Sequence, residues 1–171
     1  MYNYILVPLD GSKLSEKALA HVKVIAKGCG KPKVTLLTVL ESSKAVFPEA
    51  LYNATMEQAH REWVKANQNV KQNAEKYLVS QAKDLKEEGL DVKTVVIQAD
   101  LVKGAADIII DYAKANITDL IIMSTHGRSG VSRWTLGSVT DKVIRNRQYL
   151  IILRYMQIHF SLANTGPVLM I

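Results

Sequence analysis

Three short apolar runs limit what this chain can fold into more than any other feature: Tyr4 to Leu9, Val34 to Leu40, and Asp119 to Ser124. None alternates polar with apolar residues, so none suits a strand with one wet face. Each instead suits a strand covered on both sides, as in a parallel sheet between helices. Val92 to Gln98 reads as a further strand and Leu150 to Leu153 as a fifth.

The segments between these runs switch to helical spacing. Leu14, Ala18, Val22 and Ile25 recur along one helical face, with Ser12 as N-cap and Gly28 as a stop. A long stretch rich in Ala, Glu, Lys and Gln runs from about Thr55 to Glu88 and ends at Gly89, whereas residues 42–54, with Pro48, read as a loop. Val102 to Ala115 places Ala105, Ile108, Ile109 and Tyr112 on one face, and Val139, Val143 and Ile144 mark a short last helix. Strands alternating with helices imply right-handed crossovers and a doubly wound, Rossmann-like α/β domain. In such a sheet a ligand lies beyond the carboxyl ends of the strands, which directs attention to Asp10, Val39 to Glu41, and Met123 onward.

At 171 residues and 48% hydrophobic content the chain is of a size for one domain, expected over 1–154, with 155–171 a tail of unknown role. No apolar stretch is long enough to span a bilayer, and the N-terminus lacks a secretory signal pattern, so a cytoplasmic home without membrane partners is expected. Cys29 alone supplies neither an internal disulfide nor a zinc site. The net charge of +6 does not by itself imply nucleic acid, because many lysines alternate with acids, as in Lys83, Asp84, Lys86, Glu87 and Glu88.

The most informative segment is Ser124-Thr125-His126-Gly127, then nine residues, then Gly137-Ser138, set between a buried strand and a helix start. Glycines let backbone N–H groups approach an anion, Ser138 offers a hydroxyl, and the positive end of the helix dipole favours phosphate. The alternative is a solvated connection. A P-loop G-x4-G-K-[ST] and a nucleophile elbow G-x-S-x-G are both absent, and His126 lacks an evident catalytic partner, so at most slow ATP hydrolysis is expected.

This spacing, with YILVPLDGS near the start and IIMSTHGRSGVSRWTLGSVTDKVIR near the end, resembles the universal stress protein family over about residues 2–147. ATP-binding members of that family carry G-x2-G-x9-G-[ST] after the fourth strand. The resemblance implies a five-stranded parallel sheet in the order 3-2-1-4-5. It implies that Pro8, Asp10 and Val39 line an adenine and ribose pocket beside Met123 and Ser124, and that Gly127, Gly137, Ser138, Val139 and Thr140 hold phosphates. It also implies ATP as ligand, with Mg²⁺ inferred from its charge, a homodimer through an edge-lying fifth strand, and an unknown protein partner that reads the state. Ser124 departs from the pattern, standing where the family has its first glycine. A serine there restricts the approach if φ must be positive. A nucleotide-independent dimeric scaffold of the same fold is the rival reading.

Overall fold

The computed structural model describes residues 2–41, 56–100, 102–125 and 137–146, together with the strands at 150–154 and 168–170. The elements in chain order are β1 (Tyr4–Pro8), α1 (Lys13–Glu16), α2 (Ala18–Gly28), β2 (Lys33–Leu40), α3 (Met56–Glu87), β3 (Asp91–Gln98), α4 (Ala105–Ala115), β4 (Leu120–Ser124), α5 (Ser138–Arg145), β5 (Leu150–Arg154) and β6 (Val168–Met170). All strand pairs are parallel, in the order β3-β2-β1-β4-β5-β6. The first five follow the expected order.

Two departures have physical causes. The expected single first helix is split at Lys17, whose N–H bonds back to Leu14, three residues earlier. The Ser15 hydroxyl donates to the Ser12 carbonyl at 2.9 Å, in competition with the backbone bonds of that turn. The second departure is β6: the fifth strand was expected at an edge, but its outer side carries Val168–Met170 in parallel pairing.

The apolar runs are buried on both faces, as their lack of alternation requires. Ile5, Val7, Val34, Leu36, Leu120 and Ile122 meet Val22 of α2 and Leu78, Ala82 and Leu85 of α3 on one side. Leu6, Leu37, Ile121 and Met123 meet Ile109, Ile110, Val143 and Ile144 on the other, beneath α4 and α5. Helix α3, at 32 residues, is about 48 Å long by the rise of an α-helix, well beyond the reach of an eight-residue strand. Three of its four buried residues, Leu78, Ala82 and Leu85, therefore gather near its end, with Ala59 buried near its start, whereas Met56, Trp63 and Val70 are exposed. No helix among the described residues is long and apolar enough to cross a membrane.

Candidate functional site

The carboxyl ends of β2, β1 and β4 lie side by side, and the strand order reverses between β1 and β4. The ladder across that reversal has two residue pairs, Ile5 with Leu120 and Leu6 with Ile121, against five between β1 and β2. The crevice expected of a doubly wound sheet falls at this less tightly laced position. The strand ends place Pro8, Val39, Met123 and Ser124, with Asp10 just past β1, at one end of the sheet, and α5 follows β4.

Asp10 is held by a compact network. Its Oδ1 accepts from the Ser12 backbone N–H at 3.0 Å and from the Ser12 hydroxyl at 2.6 Å. Ser12 in turn caps α1, its Oγ accepting from the Ser15 N–H at 3.1 Å. Gly11, at φ +82, makes the turn possible, since an L side chain there would be strained. The preceding residue is fastened to β2: the Leu9 N–H donates to the Leu37 carbonyl at 2.8 Å, and the buried Thr38 hydroxyl donates to the Leu9 carbonyl at 2.9 Å. Asp10 thus organises its turn and sits half-buried just past the end of β1.

Across the switch point, Ser124 and Thr125 are buried at 6% and 1% exposure. Ser124 ends a regular strand, and the described non-glycine residues at positive φ are Lys31 and Ile117, so the serine meets no left-handed strain. The Thr140 hydroxyl donates to the Ser124 carbonyl at 3.0 Å, and the Gly137 N–H donates to the Thr125 carbonyl at 2.9 Å. These bonds draw the two ends of the glycine-containing connection together and seat α5 on β4. Gly127 and His126 lie outside the described residues.

The first bond inside α5 runs from the Asp141 N–H to the Gly137 carbonyl at 2.9 Å. Helix geometry leaves the N–H groups of Ser138, Val139 and Thr140 outside that ladder, at the positive end of the dipole. Ser138 is exposed, so its hydroxyl adds to this donor set, whereas the Thr140 side chain is buried and already committed to Ser124. Gly137 sits at φ −59, a conformation open to any residue. Left-handed freedom is therefore not the reason for glycine at this position.

Sequence reasoning missed Tyr77, Thr38 and Ser15. Tyr77 comes from α3, far along the chain, and is drawn toward Asp10, Ser15 and Glu16 by the packing of Leu78 beneath it. Burial, reinforced by the negative charges of Glu16 and Asp10, pushes its phenol up to about 12. Its buried hydroxyl makes no hydrogen bond of good geometry, although the Ser15 and Glu16 side chains lie near enough to act on its titration. Nothing in an Ala- and Lys-rich helix marks one tyrosine as a neighbour of the β1 turn. The described residues contain no group of three or more His, Cys, Asp or Glu side chains arranged to hold a metal.

A parallel sheet covered by helices on both faces, with the strand order reversing between β1 and β4, defines the doubly wound α/β class. Within that class, residues 1–148 match the model of the universal stress protein family, and the chain belongs to that family. Universal stress protein MJ0577 of Methanocaldococcus jannaschii is 30% identical over 161 residues, covering 90% of this chain and 96% of its own. MJ0531 of the same organism is 29% identical over 146 residues, covering 85% and 78%. The solved structure of MJ0577 superposes with a TM-score of 0.73 over 90% of this chain and 95% of that one. A universal stress protein solved in complex with cAMP shares the fold, with a TM-score of 0.56 at 19% identity over 90% of this chain and 97% of that one.

Proposed function

We propose that this protein is a cytoplasmic ATP-binding sensor or switch of the universal stress protein type, whose output is a contact with another protein. The observation that carries the reading is the start of α5, where three N–H groups without intrahelical partners and the Ser138 hydroxyl are anchored to β4 by the Thr140–Ser124 bond. This donor set suits phosphate oxygens. Asp10 across the switch point suits ribose hydroxyls, and Pro8, Val39 and Met123 supply apolar surface for a base. The spacing of Ser124, Gly127, Gly137 and Ser138 agrees with ATP-binding members of the family. The cAMP complex of a protein with this fold supports an adenine nucleotide as the ligand class. Mg²⁺, when bound, would neutralise phosphate charge, with ligands drawn mainly from the nucleotide and water.

The residues around the site bind and orient rather than activate. No lysine precedes Ser138 to polarise a transferring phosphoryl group, so turnover above a slow background is not expected. Ser124 in place of the first glycine and the engagement of Asp10 by Ser12 favour the scaffold reading, the latter because the same bonds would serve a turn that binds nothing. The two readings differ in linkage: a ligand that binds only the folded state raises stability by RT ln(1 + [L]/Kd). Ligand-free protein should melt at a higher temperature in millimolar Mg-ATP than in Mg²⁺ alone. An unchanged melting temperature would leave the scaffold reading standing.

A further inference from the structure

We propose that Ser15 is a positioning residue of the candidate site: its buried hydroxyl fixes where the Asp10 carboxylate stands, and so decides how well Asp10 grips the ribose hydroxyls of a nucleotide. The inference rests on the nucleotide reading of the site, in which Asp10 serves the ribose. Ser15 is buried, at 3% exposure. Its Oγ donates to the Ser12 carbonyl at 2.9 Å and accepts from the Asp10 N–H in a long bond of 3.4 Å. Its own N–H donates to the Ser12 Oγ at 3.1 Å. A hydroxyl has one proton to give, and Ser12, whose oxygen accepts from Ser15, gives its proton to Asp10 Oδ1 at 2.6 Å. The Ser12 N–H reaches the same oxygen at 3.0 Å. Asp10 is thus held twice: its backbone by Ser15 directly, and its carboxylate by Ser12, which Ser15 itself holds through two bonds.

Helix capping does not account for this side chain. Ser12 supplies the cap of α1, and an alanine at position 15 would still offer the N–H that Ser12 caps. What the Ser15 hydroxyl adds is the tie to the Asp10 N–H and to the Ser12 carbonyl. That carbonyl also accepts from the Glu16 N–H at 3.2 Å, and sharing it weakens the turn, in keeping with an α1 of four residues. On the other side of Asp10, the N–H and carbonyl of Leu9 are both bonded to β2. The chain therefore enters Asp10 from a fixed point, and Ser15 fixes the point at which it leaves. A contact between a carboxylate and a hydroxyl is short-ranged, so a displacement of about 1 Å forfeits much of it.

The test is calorimetry on the full chain with two probes, Mg-ATP and Mg-dideoxy-ATP, the second of which lacks both ribose hydroxyls. The parent should bind ATP more tightly than the dideoxy nucleotide. Ser15→Ala should lower ATP affinity by roughly three- to tenfold, part of the worth of a hydrogen bond to a charged group, and leave dideoxy-ATP affinity unchanged. Ser15→Cys, close in volume but a weak donor, should behave in the same way. In an Asp10→Asn background, Ser15→Ala should have no further effect on ATP, since the two residues act as one unit. Loosening of the site as a whole would weaken both nucleotides alike, and that outcome would overturn the proposal. Discrimination lost in Asp10→Asn but kept in Ser15→Ala would overturn it alone, with the ribose reading of Asp10 left standing. Unfolding of both Ser15 variants would overturn it as well, because Ser15 would then hold the fold rather than place a carboxylate. Discrimination that survives Asp10→Asn, or a parent that binds neither nucleotide, would overturn the reading of the site and this proposal with it.

Discussion

The hydroxyl of Thr140, in the first turn of α5, donates to the backbone carbonyl of Ser124, the last residue of β4, at 3.0 Å and in a fully buried setting. This bond sets the position of the helix start relative to the strand that precedes it, so one hydroxyl links the stability of the fold to the geometry of the candidate phosphate site.

Thr140→Val keeps the shape of the side chain and removes the donor. Loss of one buried hydrogen bond with an abandoned partner should cost about 1 to 3 kcal/mol of stability. Urea denaturation should show a lowered midpoint with an unchanged m-value. ATP affinity, measured by calorimetry, should fall too, although the valine touches no phosphate.

At Asp10 the turn and the ligand make separable demands. Asp10→Asn retains an oxygen for Ser12 and loses the charge, so stability should change little while ATP affinity falls. Asp10→Ala also removes the acceptor for the Ser12 N–H and should cost roughly 1 kcal/mol more in stability, on the scale of one such hydrogen bond. Equal ATP affinity in Asp10→Asn and the parent would show that the carboxylate serves the turn alone.

Ser138 is exposed, and Ser138→Ala should leave the unfolding midpoint nearly unchanged while weakening ATP binding by about 1 to 2 kcal/mol, the scale of a hydrogen bond to a charged group. Gly127→Val, placed by the motif rather than by the described structure, should lose most of the affinity. Unaltered binding in folded Gly127→Val would remove that glycine from the phosphate site.

Tyr77 provides a pH test. Its phenol is raised to about 12 in the folded chain against about 10 in the unfolded one. Between those values the unfolded chain has released the proton and the folded one has not, so this group's contribution to stability is intact below about pH 10 and is lost as pH rises toward 12. Tyr77→Phe should flatten stability against pH in that window relative to the parent. At neutral pH it should be neutral or mildly stabilising, since it deletes a buried hydroxyl that makes no hydrogen bond of good geometry. Leu78→Ala, one residue on, should cost about 2 to 5 kcal/mol.

Helices α3 and α4 end in the same way, with different residues at the decisive position. After α3, Gly89 at φ +81 donates to Lys86, and Leu90 donates to Leu85; after α4, Ile117 at φ 51 donates to Lys114, and Thr118 donates to Ala113. This is the Schellman arrangement, in which the left-handed residue is usually glycine. A β-branched residue is strained there by roughly 1 to 2 kcal/mol. Ile117 is exposed and gains little from packing, so Ile117→Gly should raise thermal stability by a comparable amount, whereas Gly89→Ile should lower it.

The sheet was legible because its signal is local. Runs such as Tyr4 to Leu9 and Val34 to Leu40 lack alternation since both faces of every residue are covered, and their observed bounds differ from the reading by one residue. Ser12 as a cap, Gly28 and Gly89 at helix ends, and the place of Asp10 and Ser124 at the carboxyl ends of β1 and β4 were likewise readable from spacing. The break at Lys17 was not, because Ser15 bonding back to Ser12 adds no mark to an otherwise helical pattern.

The sequence by itself determined the alternation of strands and helices as far as β5 and the parallel doubly wound class, since these depend on apolar period and on turn residues close together in the chain. Tertiary structure alone decided that Thr140 binds the Ser124 carbonyl, that Tyr77 stands beside the Asp10 turn, and that Val168–Met170 covers β5. Each of these joins residues 16 or more positions apart, and such pairings are settled by which surfaces meet once the sheet has formed, which no local period records.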